Sequence, residues 1–88
     1  MVIWKFQFPV QDEFELGMPE GAEILSVQVQ NGMPCLWAAV KPGNGMEKRE
    51  FAVRGTGHEF TPIFKEVYVG TFQLHGGAFI GHLYEIRR

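Results

Sequence analysis

Apolar and polar residues alternate with a period of two over most of this chain. From Val2 to Phe8, Val2, Trp4, Phe6 and Phe8 fall on one side and Ile3, Lys5 and Gln7 on the other, until Pro9 ends the run. That pattern predicts a half-buried strand. A shorter stretch, Glu13 to Leu16, places Phe14 and Leu16 on one face before Gly17-Met18-Pro19-Glu20-Gly21 interrupts it. Ala22 to Gln30 and Met33 to Val40 then flank Asn31-Gly32, the residue pair preferred in a two-residue type I′ hairpin turn. Such a turn sets Val27 opposite Leu36, Leu25 opposite Ala38, Ser26 opposite Trp37 and Gln28 opposite Cys35. Leu25, Val27, Leu36 and Ala38 are therefore expected in the core. The reverse face carries Ser26, Gln28, Gln30, Cys35 and Trp37, a tryptophan among glutamines that calls for a covering element or molecule.

After a loop at Lys41-Pro42-Gly43-Asn44-Gly45, Lys48 to Arg54 alternates around Phe51 and Val53. Gly55-Thr56-Gly57-His58 breaks the pattern and predicts a turn or bulged bend with several backbone N–H groups exposed. Thr61-Pro62 predicts a single helical turn over Ile63 to Glu66, with the proline in its first turn. Val67 to Leu74 and Ala78 to Ile86 read as a second hairpin closed near Gly76-Gly77. One of its faces holds Phe72, Leu74, Phe79 and Leu83, with Gly70 and Gly81 leaving room for bulky neighbours. The other holds Val69, Thr71, Gln73, Ile80, His82, Tyr84 and Ile86. A strand pair that is apolar on both sides lies in the middle of a fold or against another subunit. Ile80, His82 and Tyr84 are thus the expected interface of a homo-oligomer.

The predicted class is all-β: six or seven mainly antiparallel strands in a small barrel or sandwich, with at most one short helical turn. All 88 residues form one domain. Eight Phe, two Trp and two Tyr beside eleven Gly fit this picture, rings filling the core and glycines making turns. A net charge of −2 gives no basic stripe for duplex nucleic acid. The longest apolar run, Cys35 to Val40, is far short of a membrane span. Met1-Val2-Ile3-Trp4-Lys5 lacks a signal peptide's apolar segment, so the expected location is the cytoplasm.

Catalytic and metal chemistry find little footing. Cys35 is the single cysteine, set in an apolar strand where burial makes a thiol inert. Ser26 is the single serine and sits in mid-strand rather than on a strained elbow. His75 and His82 share a hairpin face but stand about 13 Å apart at roughly 3.3 Å per residue, too far to ligate one ion within a single chain. The expectation is a protein with no catalytic set, no metal and no cofactor. One stretch suits a small anion. Arg54 offers a bidentate guanidinium, Gly55 and Gly57 let backbone N–H groups approach phosphate oxygens, and Thr56 and His58 add donors. The plainer reading of the same stretch is a simple turn. Trp37 could stack on a base beside it, and Gln73 and His75 before Gly76-Gly77 form a second glycine-opened patch.

Gly21-Ala22-Glu23-Ile24-Leu25-Ser26-Val27-Gln28-Val29-Gln30-Asn31-Gly32, Pro34-Cys35-Leu36-Trp37-Ala38, Gly55-Thr56-Gly57-His58 and Gly70-Thr71-Phe72-Gln73-Leu74-His75-Gly76-Gly77 together resemble one family. It comprises small proteins of unassigned function carried by bacteriophages and prophages, which open with a motif like Ile3-Trp4-Lys5. The likeness is weakest between Lys41 and Glu50 and around Thr61 to Lys65. The resemblance implies a phage accessory protein acting inside a bacterial host cell. Small phage proteins of this kind include inhibitors of host defence, among them oligomeric sponges that sequester a nucleotide messenger without degrading it. Two functional readings follow. One is a non-enzymatic protein that captures a small anionic, nucleotide-like ligand at Arg54, Gly55, Thr56, Gly57, His58, Trp37, Gln73 and His75. The other is a protein-interaction module that docks a host or phage protein through an aromatic face. The position of Trp37 separates them: beside Gly55 to His58 it favours a ligand pocket, and far from them an interface.

Overall fold

The computed structural model describes residues 1–63 and 65–88. Among the described residues seven strands follow one another: β1 (Val2–Gln7), β2 (Glu13–Pro19), β3 (Glu23–Gln30), β4 (Met33–Val40), β5 (Met46–Gly55), β6 (Lys65–Leu74) and β7 (Phe79–Arg87), with one 3-10 turn at His75–Gly77. They form two antiparallel sheets, ordered β1-β4-β3 and β2-β5-β7-β6, that share one core and do not close into a barrel. The all-β class and the seven strands match the pattern of alternation.

The β3–β4 hairpin turns on Asn31 (φ 52°) and Gly32 (φ 77°). Positive φ at both central residues is what a type I′ turn demands. Its register runs as expected from Gln30↔Met33 to Ser26↔Trp37, then shifts. A bulge inserts Leu25, so that Ile24 rather than Leu25 stands opposite Ala38. The expected core position of Leu25 is therefore corrected: Ile24 packs against the core and Leu25 is 45% exposed. A second bulge, between Tyr68 and Gly70, does the same in β6. Val69 thereby turns to pack against the core instead of joining Thr71 and Gln73 on the opposite face. Gly70 lies so close to β3 that a Cβ there would stand 2.7 Å from Val27 Cγ1.

Two segments differ from the predicted pattern. β2 does not stop at Leu16 but runs through Gly17-Met18-Pro19. Met18 is fully buried, and Pro19 is tolerated because β2 is a sheet edge. The expected helical turn over Ile63 to Glu66 is not formed at its described positions. Lys65 and Glu66 open β6, Glu66 stands opposite Ile86, and its carboxylate accepts the Ile63 N–H at 2.7 Å. Residue 64 lies outside the described residues.

Inside, Phe8 stacks on Phe14 (5.1 Å between ring centroids) and Phe14 on Phe51 (5.4 Å), while Phe8 meets Phe72 edge-on. These rings tie the β1–β2 link to the four-stranded sheet, while the Phe8 N–H donates to the Pro34 carbonyl of β4 in the other. At one end the core turns polar. Glu85, a core-facing residue of β7, is 3% exposed and takes a bidentate pair from Arg49 of β5, whose Nη1 also donates to the Ala22 carbonyl at 2.8 Å. The hydrogen bond to Glu85 raises the Arg49 pKa above its ordinary value, against the lowering effect of burial.

Candidate functional site

Gly55 to His58 folds as a tight turn in which the His58 N–H donates to the Gly55 carbonyl at 3.0 Å. Gly57 carries a φ of 81°, the conformation type II turns reserve for glycine at their third residue. The Thr56 N–H donates to the Ile80 carbonyl at 3.1 Å. Of the several N–H groups expected to be exposed in this turn, those of Thr56 and His58 are thus spent inside the chain. The His58 ring lies over Gly55, where a Cβ would stand 2.5 Å from Nδ1.

Arg54 is nine-tenths buried. Its Nη2 donates to Glu66 at 2.7 Å, and its Cζ lies 4.5 Å from the centroid of the Phe60 ring. The loop after β5 folds back over the sheet to bring Phe60 there. Among the described residues Arg54 Nε is buried without a partner. A cleft of about 350 Å³ opens beside it, lined by the start of β2, the end of β5 and that loop. Asp12, Glu13 and Glu59 line it together with Arg54 and His58. Since Glu66 already matches the charge of Arg54, carboxylates set the sign of this cleft.

On the outer face of β6 and β7 a chain of hydrogen bonds links four side chains. Tyr68 OH lies 2.5 Å from Thr71 Oγ1, Thr71 Oγ1 lies 2.9 Å from His82 Nδ1, and His82 Nε2 lies 2.7 Å from Thr56 Oγ1. A neutral imidazole donates at one nitrogen and accepts at the other, so the chain runs in one direction at a time. The Thr71–His82 contact follows from their register and is readable in the sequence. The Thr56 contact is not, because the turn at Gly55 to His58 delivers it. A hydroxyl beside a histidine is half of a nucleophile–base pair, but the group behind this histidine is a threonine rather than an orienting carboxylate.

Ile80, His82 and Tyr84 are all half-buried. Tyr84 is covered within the chain by Phe60 (6.4 Å between centroids) and Tyr68 (5.4 Å). Gln73 and His75 are exposed at the β6–β7 end of the sheet, and His75 holds a φ of 54° in the hairpin loop. Among the described residues no three His, Cys, Asp or Glu side chains converge on a point that could hold a metal ion.

Trp37 lies elsewhere. In β4, Leu36, Ala38 and Val40 enter the core, so Trp37 projects from the outer face of the three-stranded sheet. It stands between Lys5 of β1 and Ser26 of β3, half-buried, with Ile3 and Ala39 in the next row and the bulged Leu25 close by. Lys5 Nζ donates to Gln30 at 2.6 Å, a bridge from β1 to β3 that passes over Cys35 on the central strand and leaves it 1% exposed. The sheet carrying Gly55 to His58 lies across the core. Of the residues expected to form one ligand site, Arg54, Gly55 and His58 line the same cleft, and Thr56 adjoins it in the turn. Trp37 is not brought to them.

The family model for a domain of unknown function, DUF7352, matches residues 1–88. The chain belongs to this family. The match spans every strand of both sheets, so the outer face bearing Trp37 and the turn at Gly55 to His58 are both parts of the family's domain. No curated protein and no solved structure matches the chain. Among the described residues no helix is long and apolar enough to cross a membrane.

Proposed function

We propose that this DUF7352 protein is a non-enzymatic interaction module that docks a partner protein on the outer face of its three-stranded sheet. The observation that carries this reading is the position of Trp37, across the core from the Gly55 to His58 turn and surrounded by Ile3, Ala39 and the bulged Leu25. A half-buried tryptophan with aliphatic neighbours on an outer sheet face has the makings of an interface hot spot, an apolar anchor rimmed by Lys5 and Glu23. The resemblance to phage and prophage proteins supports a host or phage protein of an infected bacterium as that partner. Capture of a nucleotide-like anion, as in an anti-defence sponge, has less support. Arg54 is already matched by Glu66, and an anion in the adjoining cleft would meet Asp12, Glu13 and Glu59.

A photo-crosslinking residue placed at Leu25, which is exposed and makes no ladder pair, tests the reading in infected cells. One discrete adduct formed from Leu25 and absent when the probe sits at Gln73 is the expected result. Release of a nucleotide from the denatured, purified protein, lost in Arg54→Ala, would overturn it in favour of the sponge. Calorimetric titration of both forms with cyclic and linear nucleotides would confirm that reversal.

A further inference from the structure

Among the described residues β1 is paired on one side alone. It is the edge of its sheet, hydrogen-bonded to β4. In an antiparallel ladder the N–H and C=O of one residue point to the same side, and successive residues alternate. The Phe8 N–H donates to the Pro34 carbonyl at 3.1 Å, so the even positions Phe6 and Trp4 turn their backbone groups towards β4. Ile3, Lys5 and Gln7 turn theirs outward. The side chains at this edge are apolar on both faces, with Met1, Val2, Ile3 and Trp4 exposed by 72, 44, 63 and 39%. Folded proteins usually blunt such an edge with proline, a bulge or repeated charges. Between Val2 and Gln7 there is one lysine, no proline and no register shift.

We infer that this edge is occupied by a second copy of the chain: two β1 strands pair antiparallel about a two-fold axis at Trp4, joining two three-stranded sheets into one of six strands. The occupant must be a strand, because it has to satisfy the outward backbone groups of Ile3, Lys5 and Gln7. The choice of a second copy comes from register. Symmetric pairing that uses these odd positions can centre on Ile3, Trp4, Lys5 or Phe6, and centring on Ile3 leaves the outward groups of Gln7 without a partner. Centring on Lys5 sets two ammonium groups opposite each other, which is destabilising. Centring on Phe6 leaves Val2 and Ile3 without partners. Centring on Trp4 sets Trp4 against Trp4, Val2 against Phe6 and Ile3 against Lys5, and so covers every exposed apolar residue of the strand while keeping the two lysines apart. This isologous contact closes on itself and makes a dimer rather than a fibre. The inference goes beyond the outer-face docking reading and does not depend on it.

Light scattering at about 100 µM, roughly a hundredfold above a micromolar dissociation constant, should give twice the chain mass of 10.0 kDa. Register is read by cysteine pairs in a Cys35→Ala background. At a non-hydrogen-bonded pair the Cα atoms lie about 4.5 Å apart, inside the disulfide range, so Trp4→Cys should oxidise to a covalent dimer. Ile3→Cys should not, because its symmetry mate would lie roughly 8 Å away, two residues along the strand. Lys5→Pro removes an outward N–H that β4 does not use, and should raise the dissociation constant roughly ten- to a hundredfold for the two symmetric bonds lost. If Lys5→Pro fails to fold by circular dichroism, the cysteine pair still decides. A mass of one chain with no Trp4→Cys crosslink would overturn the inference and leave the docking reading standing. A dimer that crosslinks from Ile3→Cys as readily as from Trp4→Cys would overturn it as well.

Discussion

Removing the Arg49 guanidinium should take away a large share of the stability of this domain. Glu85 and Arg49 both face the core, their side chains 4% and 12% exposed. In Arg49→Met the Glu85 carboxylate would stay buried, with only Arg87 at 3.3 Å beside it, itself 58% exposed. The Ala22 carbonyl would also lose its donor. Breaking a buried pair from one side typically costs about 3–5 kcal/mol, because the remaining charge has been taken out of water without compensation. A domain of this length holds about 4–13 kcal/mol in all. At roughly 4–8 °C per kcal/mol, even a loss of about 3 kcal/mol lowers the melting temperature by about 12 °C or more. Glu85→Leu alone should cost less, since Arg49 keeps the Ala22 carbonyl and lies 3.7 Å from Glu47. The double variant, with both charges replaced by apolar groups, should return to within about 1 kcal/mol of the parent. Urea unfolding followed by the fluorescence of Trp4 and Trp37, analysed as a double-mutant cycle, measures all three. A shift under about 4 °C for Arg49→Met, or a double variant as unstable as the single, would refute the reasoning.

Arg49 has its pKa raised by the hydrogen bond to Glu85, so its folded value lies above its unfolded one. The stabilisation is then complete below the unfolded value and is lost only as pH rises through the guanidinium's own range. The stability gap between the parent and the double variant, which keeps neither charge, should accordingly be the same at pH 7 and pH 10, and thermal melts at both values check this. Gly32→Val places a β-branched residue at a φ of 77° and should cost about 1–3 kcal/mol; an unchanged melting temperature would place the strain elsewhere. Gly70→Ala should destabilise by about 1–3 kcal/mol through its clash with Val27, and Val27→Ala in the same chain should recover part of that loss.

What the sequence made legible was local. Asn31-Gly32 specifies its turn by the φ each residue tolerates, and the alternation across Leu36, Trp37 and Ala38 puts Trp37 on the outer face without any knowledge of the partner strands. The bulges at Leu25 and Val69 were not legible. An inserted residue leaves the composition of a strand unchanged, and what favours it is the approach of β3 and β6 at Gly70 and Val27. The setting of Arg54 was hidden for a similar reason. Its neighbours Glu66 and Phe60 reach it only when the loop after β5 folds back across the sheet, so a cation that looked available beside two glycines is matched within the chain. Met18 and Pro19 read as a breaker because proline is rare in central strands, and it is the edge position of β2 that admits them.

The strand order also sets a schedule for the growing chain. β3–β4 and β6–β7 join neighbours in sequence and have their partners at hand as soon as they are made, whereas β1 must wait for β4 and β2 for β5. At about 5–20 residues per second, the thirty or so residues between Phe8 and Val40 take about 2–6 s to synthesise. For that interval the ribosome carries Val-Ile-Trp-Lys-Phe-Gln-Phe with no strand to receive it, so nascent chains on one message risk adhering through the segment that the finished fold also leaves at its edge. Slowing translation before Val40 should worsen the yield of folded protein, and a chaperone that holds extended apolar segments should restore it.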